Sequence, residues 1–223
     1  SDETVRRIRA AGMISLGKTN TPEFGCPCYT EPDNAPPART PYDLERSAGG
    51  SSGGAGAAVA AGLVPIAHAS DGGGSIRIPA SVCGLVGFKA SRGRVSRAPI
   101  YGDVTGLSTA GPMATTVRDS AAFLDVISGP TVTDSLWAAG PPDGASLLAW
   151  CERDPGPLRI ARFATPVIAG VEVDAEVLAA YDDASRLLEG LGHHLVEVEL
   201  EFDDATVGVF ETVWSVSAAM WPV

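Results

Sequence analysis

The sequence is poor in the residues that build redox and metal sites. It contains four cysteines and three histidines in 223 residues. The cysteines form neither a paired framework nor a CxxC motif, and the histidines do not complete a zinc-binding spacing around them. We therefore expect reduced thiols in a cytoplasmic protein, with no metal ion and no cofactor.

Positive charge is also scarce. The formal net charge is −11, and residues 172–223 carry twelve acidic residues against Arg186 alone. An acidic surface repels phosphate backbones and anionic lipid headgroups. Neither nucleic acid nor a membrane is therefore an expected partner, and we interpret the acidic last quarter as a solvated face.

A long hydrophobic run is absent as well. Residues 47–70 lack Asp, Glu, Lys and Arg over 24 positions, which is long enough to span a membrane. Six glycines, four serines, Pro65 and His68 nevertheless leave this segment too polar for insertion. No secretory signal opens the sequence, and the composition is typical of a soluble globular protein.

Helix and strand signals alternate along the chain, which predicts an α/β fold with a mixed β-sheet covered by helices. Helices are predicted at 2–11, 53–61, around Pro79, at 116–128 and 174–191, and after Asp204. Strands are predicted at 13–16, 64–69, 85–89, 158–163 and 194–200. Such alternation favours a sheet with parallel pairs of strands.

Two clusters of glycine and serine are the most informative motifs, at residues 49–54 and 71–75. Glycine lets the backbone adopt positive φ and approach a ligand closely, and consecutive N–H groups in a turn bind an anion. A serine at the end of such a turn can act as a nucleophile while the N–H groups hold the oxyanion it generates. A flexible linker is disfavoured because strand and helix patterns flank both clusters.

Other glycine-rich sites fit less well. Neither cluster carries the Lys-Ser or Lys-Thr of a P-loop, and no GxGxxG follows a strand. Residues 49–53 do match the GxSxG elbow of α/β-hydrolases, and His193 and His194 follow later in the chain. That elbow needs a strand before the serine, and we interpret residues 42–46 as charged and irregular. His68 is interpreted as a core histidine.

The run GGSSGGAGAAVAAGLVPIAHASDGGGSIRIPASVCGLVGFKASRGRVS, at residues 49–96, resembles the signature of the amidase signature family. LGKTNTPEFG before it and GPMATTVRD after it resemble flanking motifs of the same family. The resemblance implies a Ser-Ser-Lys triad in which Ser75 is the nucleophile and Ser51 the bridging serine. It also implies a cis peptide bond between Gly50 and Ser51.

From the glycine turn we predict an oxyanion hole built from the backbone N–H groups of Gly72, Gly73 and Gly74, together with that of Ser75. Asp71 and Arg77 flank this turn and are predicted to pair beneath it, with a purely structural ion pair as the alternative.

The chain departs from the family pattern in two ways. Lys89-Ala90-Ser91 stands where the family usually has Lys-Pro-Thr. The catalytic lysine of the family lies well upstream of the GKTN motif, in a segment that we expect this chain to lack. The resemblance assigns Lys18 to the GKTN motif and Lys89 to a strand after the nucleophile, so neither is predicted to be the base.

We expect residues 1–223 to be the central portion of one amidase signature domain, without its N- and C-terminal parts. The favoured function is a stand-alone amidase acting on a small-molecule amide, and several motifs resemble the 6-aminohexanoate cyclic-dimer hydrolase type. The alternatives are a catalytically silent fragment and the amidase-family subunit of a glutamyl-tRNA amidotransferase. The protein partners left open are a second copy of the chain and the missing part of the domain.

Overall fold

The computed structural model of the chain describes residues 2–99, 105–166, 171–200 and 204–219. The helices are α1 (Glu3–Ala10), α2 (Gly53–Ala60), α3 (Arg77–Val82), α4 (Val117–Ile127), α5 (Leu147–Trp150), α6 (Ala175–Gly190) and α7 (Asp204–Ala219). The strands are β1 (Arg39–Thr40), β2 (Asp43–Ser47), β3 (Ile66–Asp71), β4 (Val86–Gly87), β5 (Thr109–Ala114), β6 (Arg159–Arg162) and β7 (His194–Glu197). The chain divides into two compact units, Ser1–Glu152 with Ser217–Val223, and Arg153–Val216.

The central sheet of the first unit has the strand order β3-β5-β4 and is antiparallel throughout. The register aligns Asp71 with Thr109, so β3 ends beside the beginning of β5. A Cβ atom at Gly87 would lie 2.4 Å from the Cβ of Ala80, so only glycine allows α3 to pack this closely on β4. Strand β4 of the sheet therefore packs against α3, the helix that follows the second glycine cluster.

Helices α2 and α3 also pack closely against each other. A Cβ atom at Gly56 would lie 3.2 Å from Pro79 Cβ and 3.4 Å from Cys83 Sγ, which is tighter than most contacts between side chains. The hydrophobic core around this contact contains the fully or nearly fully buried residues Ala55, Ala69, Ile76, Ala80 and Met113. The small residues that follow the first glycine cluster thus allow α2 and α3 to pack closely.

A capping side chain lies immediately before each of α1, α4 and α6. Asp2 accepts a hydrogen bond from the N–H of Val5, Thr116 from that of Asp119, and Asp174 from that of Glu176. Each cap satisfies one of the N–H groups that the first turn of a helix leaves unpaired. These helix boundaries differ from the sequence prediction by one residue or less at the first position.

The second unit contains a parallel pair of strands joined by a helix. Strands β6 and β7 align Arg159 with His194 and Arg162 with Glu197, and α6 lies between them in sequence. The guanidinium of Arg162 lies 4.5 Å from the ring centroid of Tyr181 on α6 and 2.9 Å from the carboxylate of Glu197. The predicted parallel pairing is therefore found here, whereas the sheet of the first unit is antiparallel.

Three local predictions are wrong. Residues 13–16 form no strand in the part of the chain that the structure describes, and Ile14 and Leu16 are 85% and 75% exposed. Residues 43–47 form β2 rather than irregular chain, because they pair with β1. His68 is exposed on β3 rather than buried in the core.

The strand predicted at 85–89 is limited to β4, and Pro79 is the third residue of α3 rather than its first. No described helix is long and apolar enough to cross a membrane.

Candidate active site

Ser75 lies in a tight turn between β3 and α3 and is 8% exposed. Gly74 within this turn has a φ of 136°, a conformation that side-chain-bearing residues rarely adopt, and a Cβ atom there would lie 2.7 Å from Ile78 Cδ1. The second glycine cluster therefore forms a turn that glycine alone fits well. The position predicted for Ser75, immediately before a short helix, is confirmed.

The carboxylate of Asp71 holds this turn from inside. It is fully buried and accepts hydrogen bonds from the backbone N–H groups of Gly74 at 2.8 Å, Ile76 at 3.1 Å and Arg77 at 3.3 Å. Arg77 also donates to the two carboxylate oxygens from Nε and Nη2, both at 3.0 Å. The predicted pair of Asp71 and Arg77 is thus present, and it is bidentate.

These contacts set the charge state of Asp71. Burial would raise its pKa, but the side-chain hydrogen bonds from Arg77 and the backbone bonds from Ile76 and Arg77 outweigh burial and lower the pKa to about 2. The carboxylate therefore stays ionised at neutral pH. The side-chain hydrogen bonds to Asp71 raise the pKa of Arg77 above its ordinary value.

The N–H group of Gly74 has a different role from the one predicted. The glycine turn predicts this N–H in the oxyanion hole with those of Gly72 and Gly73, but it donates to Asp71 Oδ1. An N–H engaged by a buried carboxylate is not directed at a substrate. Gly74 therefore contributes its backbone conformation to the turn.

Lys89 contacts the same turn from the side of β5. Its Nζ donates to the carbonyl oxygen of Asp71 and, at 3.0 Å, to that of Leu107, and it lies 3.5 Å from Asp71 Oδ1. Burial lowers the pKa of Lys89, while the charge of Asp71 opposes that change. The ammonium group is thus committed to two carbonyls and a carboxylate.

Ser51 lies between β2 and α2, after a Gly50–Ser51 peptide bond that is cis, as the resemblance implied. Ser51 is 6% exposed. A Cβ atom at Gly50 would lie 2.5 Å from the carbonyl oxygen of Tyr29. The first glycine cluster therefore needs glycine at this position because another backbone segment passes against it.

Thr30 makes hydrogen bonds to the backbone around Ser51. Its Oγ1 donates to the carbonyl oxygens of Gly49 at 2.9 Å and Ser51 at 3.4 Å, and it accepts from the N–H of Gly53 at 3.1 Å. Thr30 is completely buried. One hydroxyl thus holds both sides of the Ser51 turn.

The two serine turns lie against each other. The N–H of Ser52 donates to the carbonyl oxygen of Ser75 at 3.3 Å, and Ser52 Oγ donates to the carbonyl oxygen of Ser70 at 3.4 Å. A Cβ atom at Gly25 would lie 3.8 Å from Ser51 Oγ, so Gly25 borders the same site. Within the described residues, no hydrogen bond joins Ser51 Oγ to Ser75 Oγ.

Sequence reasoning missed Thr30, Ser52, Gly25 and the role of Lys89. Thr30 and Lys89 lie 18 to 23 positions from the groups they bind, so no local spacing signals these contacts. Ser52 directly follows Ser51 within the glycine cluster, which could have signalled a contact between the two turns. No group of three or more potential metal ligands occurs within the described ranges.

Replacing Thr30 by valine is expected to lower the free energy of unfolding by about 1 to 3 kcal/mol, because three buried backbone groups lose their partner. We expect kcat to fall as well, since the Ser51 turn loosens. Chemical denaturation and assays of the amide hydrolysis that the family resemblance implies would measure the two effects. Thr40→Val is the matched control, since Thr40 is similarly buried but donates to Val82 O, at 3.5 Å, outside both serine turns. Equal losses of kcat in the two variants would contradict the role assigned to Thr30.

The family model described as Amidase matches residues 1–221. The chain belongs to the amidase signature family. It is 46% identical over 192 residues to a 6-aminohexanoate-cyclic-dimer hydrolase from Paenarthrobacter ureafaciens, covering 85% of this chain and 38% of that protein. It is 42% identical over 207 residues to a glutamyl-tRNA(Gln) amidotransferase subunit from Carboxydothermus hydrogenoformans, covering 92% of this chain and 42% of that protein.

Solved structures agree with this family and with the predicted α/β fold. The structure of 6-aminohexanoate cyclic dimer hydrolase complexed with substrate superposes with a TM-score of 0.91 at 41% identity, over 97% of this chain and 46% of that one. A glutamyl-tRNA(Gln) amidotransferase subunit from Thermotoga maritima superposes with a TM-score of 0.84 at 34% identity, over 98% of this chain and 47% of that one. The chain thus spans less than half the length of these relatives. The predicted similarity to the cyclic-dimer hydrolase type is confirmed.

Proposed function

We propose that the protein containing this chain hydrolyses a carboxylic amide to a carboxylate and an amine or ammonia, through an acyl-enzyme on Ser75. The observation that carries the proposal is the buried Ser75 at the end of a glycine turn that Asp71 holds, beside the turn of Ser51. A serine hydroxyl needs a base to become a nucleophile. We assign that role to Ser51, which the resemblance to the family implies is the bridging serine.

In this mechanism Ser51 takes the proton of Ser75 and passes its own proton to a lysine. Ser75 Oγ attacks the amide carbon, and the N–H groups of Gly72, Gly73 and Ser75 hold the oxyanion. The amine leaves with the proton returned through Ser51, and water then hydrolyses the ester. The contacts of Lys89 with Asp71 and Leu107 make it unsuitable as the acceptor, and the resemblance assigns Lys18 to the GKTN motif. We therefore propose that the lysine lies outside these 223 residues.

A stand-alone amidase is favoured over an amidotransferase subunit. Ile78 stands where the subunit tends to have glutamine after Ser-Ile-Arg. The superposition is also better with the cyclic-dimer hydrolase than with the amidotransferase. We propose a small-molecule amide as the substrate and a cytoplasmic location, and residues 1–223 as a portion of one amidase domain. On this proposal, a polypeptide of these residues alone is a silent fragment without its triad lysine.

A fluorophosphonate probe tests the nucleophile directly, because it forms a stable adduct only with an activated serine. We expect mass spectrometry of the labelled whole protein to place the adduct on the peptide containing Ser75. We expect labelling to proceed at neutral pH and to become slower when an amide substrate competes with the probe. Adduct formation on another serine, with amide hydrolysis intact, would exclude the proposed acyl-enzyme on Ser75.

A further inference from the structure

Lys89 is a cation beside the backbone of the nucleophile turn that the proposed mechanism does not use. Its side chain is 25% exposed, and its Nζ donates to the carbonyl oxygen of Asp71, the last residue before the glycines. A second bond, to Leu107 O at 3.0 Å, also holds the ammonium group. Lys89 is thus a fixed cation on one particular peptide group, that between Asp71 and Gly72.

The geometry of that peptide group links Lys89 to the oxyanion hole. Gly50–Ser51 and Ala98–Pro99 are the cis bonds found among the described residues, so the Asp71–Gly72 bond is trans. In a planar trans peptide the C=O and the N–H point in opposite directions. Because the carbonyl of Asp71 points to Lys89, the N–H of Gly72 points away from it.

The charge of Lys89 adds a second effect. A hydrogen bond from an ionised donor is shorter and stronger than one between neutral groups. Hydrogen bonds in series polarise one another, so a cation on the carbonyl makes the N–H of the same peptide a better donor. The Asp71 carboxylate, 3.5 Å from Nζ, favours the charged ammonium, whereas burial has the larger effect and lowers the pKa of Lys89.

We propose that Lys89 is a positioning residue that orients and polarises the N–H of Gly72 as an oxyanion donor. The inference rests on the proposed amide hydrolysis at Ser75. It assigns the two ends of the turn to different groups. Asp71 and Arg77 hold the end that runs into α3, through the N–H groups of Gly74 and Ile76, and Lys89 holds the end that leaves β3.

Lys89→Met in the whole protein tests the proposal, because methionine has a similar length and no donor. We expect kcat to fall about 10- to 100-fold while KM changes less than about threefold, since an oxyanion donor acts in the transition state. Affinity for a trifluoromethyl ketone analogue of the substrate, which forms an oxyanion on Ser75, should fall by the same factor as kcat/KM. Lys89→Arg should recover most of both losses because it retains the charge.

Arg7→Met is the matched control. Arg7 is also a cation that donates to backbone carbonyls, those of Ile127, Ser128 and Pro130, but these lie at the end of α4 and not in a serine turn. We expect this variant to lose thermal stability and to keep its kcat and its affinity for the ketone. Should Lys89→Met not fold, Lys89→Gln provides the same comparison, because its amide donates without a charge.

Two results separate this inference from the function on which it rests. If the wild-type protein hydrolyses no amide and Ser75 takes no probe, the proposed function fails and the inference falls with it. If Ser75 is labelled and turnover is normal, but Lys89→Met keeps kcat within twofold, the proposed function stands and the role of Lys89 is wrong. An equal loss of kcat in Arg7→Met would also contradict the role of Lys89, since the loss in both variants would then reflect lower stability.

Discussion

Ser75→Ala is expected to lower kcat for amide hydrolysis by about 10⁴-fold or more in the whole protein, because a nucleophile acting in a coupled triad cannot be replaced by its neighbours. The free energy of unfolding should change by less than about 1 kcal/mol, since only a hydroxyl is removed and the backbone contacts of the turn remain. Steady-state kinetics and chemical denaturation on the same preparation measure both.

Ser81→Ala is the control for this experiment. Ser81 is exposed on α3, one turn beyond the site, so we expect wild-type kinetics from this variant. A loss of less than tenfold in Ser75→Ala would show that another group attacks the amide.

Asp71→Asn is expected to damage both stability and activity. Asp71 is fully buried but Arg77 is 54% exposed, so we expect a loss of about 1 to 3 kcal/mol when Arg77 and Lys89 lose their shared carboxylate. The N–H of Gly74 and Ile76 would also lose a charged acceptor. We therefore expect kcat to fall about 100-fold or more as the turn that presents Ser75 loosens.

The pH dependence of stability isolates the contribution of Asp71. Its folded pKa of about 2 lies below its ordinary value of 3.8, so its stabilising effect is present above the ordinary value and is lost as the pH falls through the folded pKa. A depression of this size corresponds to about 2 kcal/mol at neutral pH. The difference in unfolding free energy between wild type and Asp71→Asn should accordingly shrink between about pH 4 and pH 2.

Asp125→Asn is the matched control for Asp71→Asn. Asp125 also accepts from two backbone N–H groups, those of Leu147 and Leu148 at 2.7 and 2.9 Å, but it serves α5 and not a serine turn. We expect some loss of stability and unchanged kcat. A difference between wild type and Asp71→Asn that stays constant from pH 7 to pH 2 would contradict the depressed pKa.

Predictions from the sequence succeeded where short-range interactions decide the structure. The first residues of α4 and α6 follow from Thr116 and Asp174, because a capping side chain bonds an N–H only two or three residues away. The turn before α3 follows from three consecutive glycines for a similar reason, since the ability to adopt positive φ belongs to glycine itself.

Predictions failed where a distant partner decides. The apolar residues 13–16 have the composition of a strand, but a strand also needs a neighbour with which to exchange hydrogen bonds. Residues 43–47 show the converse, because their polar sequence pairs with β1 across a short connection. His68 was placed in the core from its apolar neighbours, whereas strand residues alternate between faces and its own side is exposed.

By itself the sequence determined the family of this protein, the position of Ser75 before a helix and the glycines that shape both serine turns. Only the tertiary structure decided which groups hold those turns. Thr30 reaches Gly49 and Ser51, and Lys89 reaches the carbonyl of Asp71, across 18 to 21 positions of chain. Such contacts depend on how separate segments pack, because a buried polar group must find its partner wherever the fold places one.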